Sequence, residues 1–212
     1  MKIAGNILLI LVLIALGSCR KTEKERLETY VVMVSFDIFR WDYPDLYETP
    51  NFDQMAIRGV KAEKLLPSFP TKTFPNHYTL ATGLYPDNHG IINNSFYALD
   101  LDGIYRISDR EMVMNPDAYF GEPIWVTAEK QGVKSACYFW VGSEAAVLET
   151  SPSYWEIYDG SVPYTERVDQ VIDWLEWSVD KRPGIVALYF DEPDHTGHGY
   201  GPVHPATGDV VA

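Results

Sequence analysis

Asp37 closes the apolar run Thr29–Asp37 (TYVVMVSFD), and Asp194 and His198 follow the run Gly184–Phe190 in GIVALYFDEPDHTGH. An acidic residue placed just past an apolar strand is positioned to act beyond the carboxyl end of that strand, where open α/β sheets bind their ligands. The stretch Asp194-His195-Thr196-Gly197-His198 adds imidazoles, and a glycine that lets the backbone turn tightly. Mixed Asp/His ligation suits a zinc ion. One such aspartate alone caps a loop or helix more often than it binds a metal. Two sites of this kind, one beside histidines, favour a metal-dependent hydrolase.

Thr73, in SFPTKTFPNHY, stands just before Phe74-Pro75 and a helix expected to begin near Asn76. A threonine hydroxyl needs a base or a metal to become a nucleophile. A helix N-terminus offers N–H groups and a dipole favourable to an anion. The same position also suits a plain N-cap, and both readings stay open. Asn94, in GIINNSFY, is either a turn residue or a donor to a developing oxyanion.

The elements that would position these groups alternate between strand and helix. Thr29–Phe36 is a near-continuous apolar run, as expected of a strand buried on both faces. Thr49-Pro50 opens a short helix over Asn51–Arg58 that Gly59 closes. Val60–Leu66 reads as a second extended segment, and 84–121 as loops and small hairpins. Glu122–Gln131 reads as a helix ended by Gly132, and Val133–Trp140 as a strand. Thr165 is expected to cap an amphipathic helix with Val168, Val171, Ile172, Leu175 and Val179 along one stripe, and Lys181, Arg182 and Pro183 at its end. Gly184–Phe190 is another buried strand. Such alternation gives an α/β fold: a mostly parallel central sheet with helices on both faces.

Hydrophobic content of 46% and aromatic content of 14% give ample material for a core. A net charge of −13 argues against nucleic-acid binding, which wants a basic footprint. Residues 1–19 read as an export signal, with Lys2, the apolar Ile7–Leu16 and the small-residue ending Leu16-Gly17-Ser18-Cys19. That ending is either a lipobox, with acylated Cys19 anchoring the protein to a bacterial membrane on its periplasmic or cell-surface face, or an ordinary signal with an incidental cysteine. Residues 20–28 read as a charged tether. Cys137, in SACYFW, is expected in the core.

The segments FDIFRWDY, TPNFDQMAIRGV, SFPTKTFPNHYTLATGLYPDNHGIINNSFY, GEPIWVTAEKQG, FWVGSE, YDGSVPYTERV and DEPDHTGHGYGP occur in consistent order through residues 30–203. Together they resemble the ectonucleotide pyrophosphatase/phosphodiesterase family of the alkaline phosphatase superfamily. The resemblance implies an alkaline phosphatase-like fold, with 29–212 as the N-terminal part of the catalytic domain. It also implies two zinc ions, one held by Asp37 and Thr73, the other by Asp194 and His198. Thr73 would be the nucleophile, forming a phospho-threonine intermediate, and Asn94 would bind the oxyanion. Phe74 and Tyr158 would sandwich a nucleobase, Tyr189 would line the pocket, and Trp140 and Glu144 would lie in its wall. The activity implied is hydrolysis of nucleotide pyrophosphates or phosphodiesters, releasing a nucleoside monophosphate.

Two departures stand out. The family usually has glycine after the first metal aspartate, where this chain has Ile38. The family also supplies an Asp-His pair and a further histidine downstream, and nothing after His198 matches them; His204, in GPVHP, has another context. A fold incomplete at its C-terminus is therefore expected, with each zinc short of protein ligands and activity reduced. The alternatives are a lysophospholipid or glycerophosphodiester phosphodiesterase of the same family, and an inactive fragment that only binds ligand. A sulfatase is disfavoured, because Thr73 stands at the nucleophile position and His77 four residues later.

Overall fold

The structure, a computed structural model, describes residues 29–212. The proposed signal 1–19, with Cys19, and the tether 20–28 lie outside the described residues. The order of elements is β1 (Val31–Phe36), α1 (Tyr43–Leu46), α2 (Pro50–Arg58), α3 (Thr73–Thr82), α4 (Pro86–His89), β2 (Ser95–Ala98), β3 (Gly103–Arg106), α5 (Arg110–Met114), α6 (Ile124–Lys130), β4 (Ser135–Tyr138), β5 (Tyr154–Glu156), α7 (Tyr164–Glu176), β6 (Ile185–Phe190), α8 (Asp194–Tyr200) and α9 (Pro205–Val211).

The central sheet has the order β1-β6-β4-β5, and every pairing in it is parallel. β2 and β3 form a separate antiparallel hairpin. Parallel pairing sends all four carboxyl ends to one edge, so residues that follow the strands gather there. β4 is buried along its whole length and β6 along nearly all of it, so both faces of the sheet centre are covered. Helix α6 packs on β4 and α7 on β6. Trp125, Trp140, Tyr78, Tyr105 and Val186 are among the fully buried side chains of one core cluster.

Several sequence expectations need correction. β1 is not buried on both faces: among the described residues it is an edge strand with β6 as its one partner, and Val31, Val32 and Val34 are exposed. Val60–Leu66 is not a strand but irregular chain, with Val60, Leu65 and Leu66 in solvent. The strand expected over Val133–Trp140 narrows to Ser135–Tyr138. Helix α7 begins one residue before Thr165, with Pro163 at its N-cap, and ends at Glu176, before the basic pair Lys181-Arg182. Only part of the expected stripe faces inward: Val171 is buried together with Arg167 and Trp174, and Leu175 packs against the core, while Val168 and Ile172 are exposed. A fully buried arginine on that face is tolerated because its charge is paired, as described below. Cys137 sits in β4, buried and free, with Trp155 and Ala187 as its cross-strand neighbours.

Candidate active site

The carboxyl ends of all four parallel strands open on a cavity of about 1270 Å³. Asp37 follows β1, Phe139 and Trp140 follow β4, Tyr158 lies just beyond β5, and Asp191 follows β6; all line this cavity. Thr73, Phe74, Asn94, Tyr189, Asp194 and His198 line it too. Side chains separated by up to about 160 positions in the sequence therefore share one wall system.

Helix α3 begins at Thr73 itself, three residues earlier than the sequence suggests, with Lys72 as N-cap and Gly83 closing it in the left-handed region at φ 69°. The Thr73 hydroxyl caps nothing in its own helix. It donates instead to Asp37 Oδ2 at 2.9 Å. The same oxygen accepts the Tyr189 hydroxyl at 3.0 Å. Burial, and then the Asp37 charge, push the Tyr189 phenol well up, so it stays a donor. Tyr189 is thus committed to Asp37 as well as lining the pocket. Below this pair lies His77, buried, with Nδ1 2.7 Å from the Thr73 carbonyl and Nε2 2.7 Å from Ser35 Oγ. Burial lowers the His77 pKa, against an opposing pull from the Asp37 charge.

The backbone at Ile38 adopts φ 58°, the left-handed region that glycine occupies at little cost. A β-branched residue there carries strain, directly beside Asp37.

Asn94 Oδ1 accepts the Phe74 backbone N–H at 3.0 Å. That N–H is therefore engaged and not a free donor for a ligand. Pinning the Asn94 carbonyl leaves its Nδ2 group as the donor for an anion held near Thr73.

Asp194 and His198 sit on a helix, not in the tight turn their glycine suggests, and Asp194 is its first residue. A spacing of four places them on one face, with Asp194 Oδ1 3.4 Å from His198 Nε2. His198 is largely exposed. Burial, and then the neighbouring Asp37 carboxylate, raise the Asp194 pKa. Asp191, by contrast, is neutralised: Arg167, fully buried between the rings of Phe139 and Tyr164, donates to it from Nη1 at 2.9 Å. His204 is engaged elsewhere, its Nδ1 capping α9 by accepting from Ala206 N.

The donors fit zinc in kind, as carboxylate, hydroxyl and imidazole. They are few in number: among the described residues no three His, Cys, Asp or Glu side chains converge on one point. Asp37 with Thr73, and Asp194 with His198, each bring two donors.

The aromatic groups are less closely associated. Phe74 meets Tyr105 edge-on at 6.3 Å, while Tyr158 stands at the rim, 5.2 Å from Phe139 and 6.4 Å from Tyr189. Among the described residues no ring contact joins Phe74 to Tyr158, so any sandwich would need a ligand between them. Buried Glu144 pairs with Arg110, and its other oxygen accepts the Tyr158 N–H at 3.2 Å, tying the rim to the pocket wall.

Sequence reasoning missed His77, Ser35, Asp191 and Arg167. Asp191 satisfies the same strand-end rule as Asp37 and could have been found by it. Arg167 was visible as a charged residue among the inward positions of a helix. Ser35 and His77 carried no local signal.

The sequence model of the type I phosphodiesterase / nucleotide pyrophosphatase family matches residues 31–212, and the chain belongs to that family. It is 45% identical over 175 residues to bovine ectonucleotide pyrophosphatase/phosphodiesterase family member 3, covering 82% of this chain and 20% of the relative. It is 42% identical over 174 residues to human family member 1, covering 81% of this chain and 19% of the relative. The chain thus spans about a fifth of the length of these relatives. The solved structure of murine ectonucleotide pyrophosphatase / phosphodiesterase 5 superposes with a TM-score of 0.81 at 35% identity, over 86% of this chain and 48% of that one. An inactive variant of that murine protein, in complex with AMP, superposes equally well at 34% identity. The fold is the α/β, parallel-sheet fold of that structure.

Proposed function

We propose that this chain carries the nucleophile-bearing part of a zinc-dependent enzyme that hydrolyses nucleotide pyrophosphate or phosphodiester bonds through phospho-Thr73. The observation that carries this reading is the Thr73 hydroxyl. It stands at the start of a helix and gives its hydrogen to Asp37 Oδ2 at 2.9 Å instead of capping. The AMP complex of the murine relative supports a nucleotide as the substrate class.

Asp37 with Thr73, and Asp194 with His198, are the pairs that would hold zinc. When bound, the metal would make the hydroxyl more acidic and offset charge on the phosphoryl group. Thr73 Oγ1 bonds to phosphorus as the bond from phosphorus to the leaving oxygen breaks, and that oxygen departs with the electron pair. The Thr73 proton goes toward Asp37 Oδ2, which already accepts it, and the departing oxygen takes its proton from solvent. Asn94 Nδ2 donates to a non-bridging oxygen. Phe74 and Tyr158 hold the base, and Glu144 fixes the Tyr158 backbone. Water then attacks phosphorus, the bond to Oγ1 breaks, Thr73 regains a proton and a nucleoside monophosphate leaves.

Thr73→Ala tests the assignment on a nitrophenyl nucleotide diester. Nitrophenol release should fall by at least about a thousandfold, and no phosphoprotein should be trapped by acid quench. Near-normal turnover by the variant would remove Thr73 from the mechanism.

A further inference from the structure

We propose that His77 is a positioning residue for Thr73, its Nδ1–H held on the Thr73 carbonyl and its Nε2 against the Ser35 hydroxyl. This rests on the reading of Thr73 as nucleophile, but its first test does not depend on turnover. A backbone carbonyl only accepts, so the ring nitrogen 2.7 Å from Thr73 O must carry the hydrogen. The other ring nitrogen, Nε2, lies 2.7 Å from the Ser35 hydroxyl, which can serve it as hydrogen-bond partner.

The ring is fixed on its other sides as well. It meets Trp140 edge-on at 5.5 Å and Tyr189 at 5.0 Å, with interplanar angles of 72° and 90°. The Trp140 indole N–H donates to the His77 carbonyl at 3.1 Å. Three of these contacts lead to the reacting pair. Ser35 lies in β1 two residues before Asp37, Tyr189 donates to the Asp37 carboxylate, and Thr73 O belongs to the nucleophile's own residue. One buried imidazole therefore ties together the carriers of both the hydroxyl and its acceptor. A shift of about 1 Å in such a pair is enough to cost on the order of a hundredfold in rate.

Long-range proton–nitrogen NMR spectra of the full chain, labelled with nitrogen-15 at histidine, read the tautomer directly. His77 should show the Nδ1–H pattern, and Ser35→Ala should shift its Nε2 resonance. An Nε2–H pattern overturns the proposal. In His77→Leu the Thr73 resonances should move, and in His77→Asn, whose amide can still donate to the Thr73 carbonyl, they should return toward their native positions. Equal displacement in both variants also overturns it. On the nitrophenyl nucleotide diester, His77→Leu should lower kcat by about tenfold or more with KM changed less than about twofold, and His77→Asn should recover most of the loss. Stable labelling of Ser35 by a fluorophosphonate would overturn the idea too, by making Ser35 and His77 a nucleophile and its base. If the native chain hydrolyses no diester, the hydrolase reading fails while the tautomer and the Thr73 resonances still decide the role of His77.

Discussion

Strands β1 and β6 pair residue for residue along their whole length, VVMVSF against IVALYF, from Val31↔Ile185 to Phe36↔Phe190. Their compositions are nearly interchangeable, and their surroundings are not. Val186 is 0% exposed, with a strand on either side and helix α7 packed on β6. Val34, one strand away, is 43% exposed on an edge. Helix α2 and the segment after it continue this open flank, with Met55, Ile57, Leu65 and Leu66 all in solvent. Apolar content makes a strand, but neighbours decide whether it becomes core. The catalytic candidates straddle the boundary: Asp37 hangs from the open strand, and its partner Tyr189 belongs to the closed side.

Substitutions in the two regions should therefore diverge sharply. Val186→Asp buries an unpaired carboxylate at the sheet centre and should cost on the order of 4 kcal/mol or more, seen as loss of the cooperative urea transition. If it folds normally, the centre is not the core. Glu129→Ala, still on the closed side, leaves the buried Ser135 and its neighbour Ser153 without the carboxylate that accepts from Ser135 N and Oγ at 2.7 Å and from Ser153 N at 2.8 Å. A loss of about 2 kcal/mol is expected at pH 7.

That loss should depend on pH with a definite sign. Burial by itself would raise the Glu129 pKa, but the hydrogen bonds from Ser135 and Ser153 outweigh it and the net shift is downward. A depressed folded-state pKa stabilises above the unfolded value of about 4.3 and ceases to as pH falls through the folded one. The gap between native and variant chains in urea titrations should thus hold from neutrality to about pH 5 and narrow below about pH 4. A gap that widens in acid would contradict the network.

On the open side the effects should be smaller and some should be favourable. Ile38→Gly relieves a left-handed, β-branched residue that is mostly exposed, and a gain of about 1 kcal/mol in urea midpoint analysis is expected. A net loss there would mean that the Ile38 side chain packs more than its exposure suggests. Val34→Lys should change stability by no more than about 0.5 kcal/mol and reduce association of the chain in light scattering, because a charge on an edge strand discourages edge-to-edge pairing.

Much of this arrangement is legible in the sequence, and the limits have physical causes. Strand-end aspartates and the parallel α/β alternation follow from local patterns, and both appear where the patterns put them. Val60–Leu66 misleads because apolar residues without a covering layer do not form a strand. Helix α7 misleads because its inward face is set by Trp174 and by an arginine whose partner, Asp191, is 24 residues away. Thr73 is only half legible: its position at a helix start is local, but the bond that removes it from capping comes from Asp37, 36 residues earlier. His77 is illegible, since its meaning lies in a serine on strand β1 and a carbonyl one turn back.

Cys137 lies in β4 between two paired strands, its thiol pushed far up by burial. A thiolate is the form that oxidants and electrophiles attack. Enclosed as an uncharged thiol, this sulfur has no redox life while the sheet stays shut. Its chemical silence is a product of packing alone.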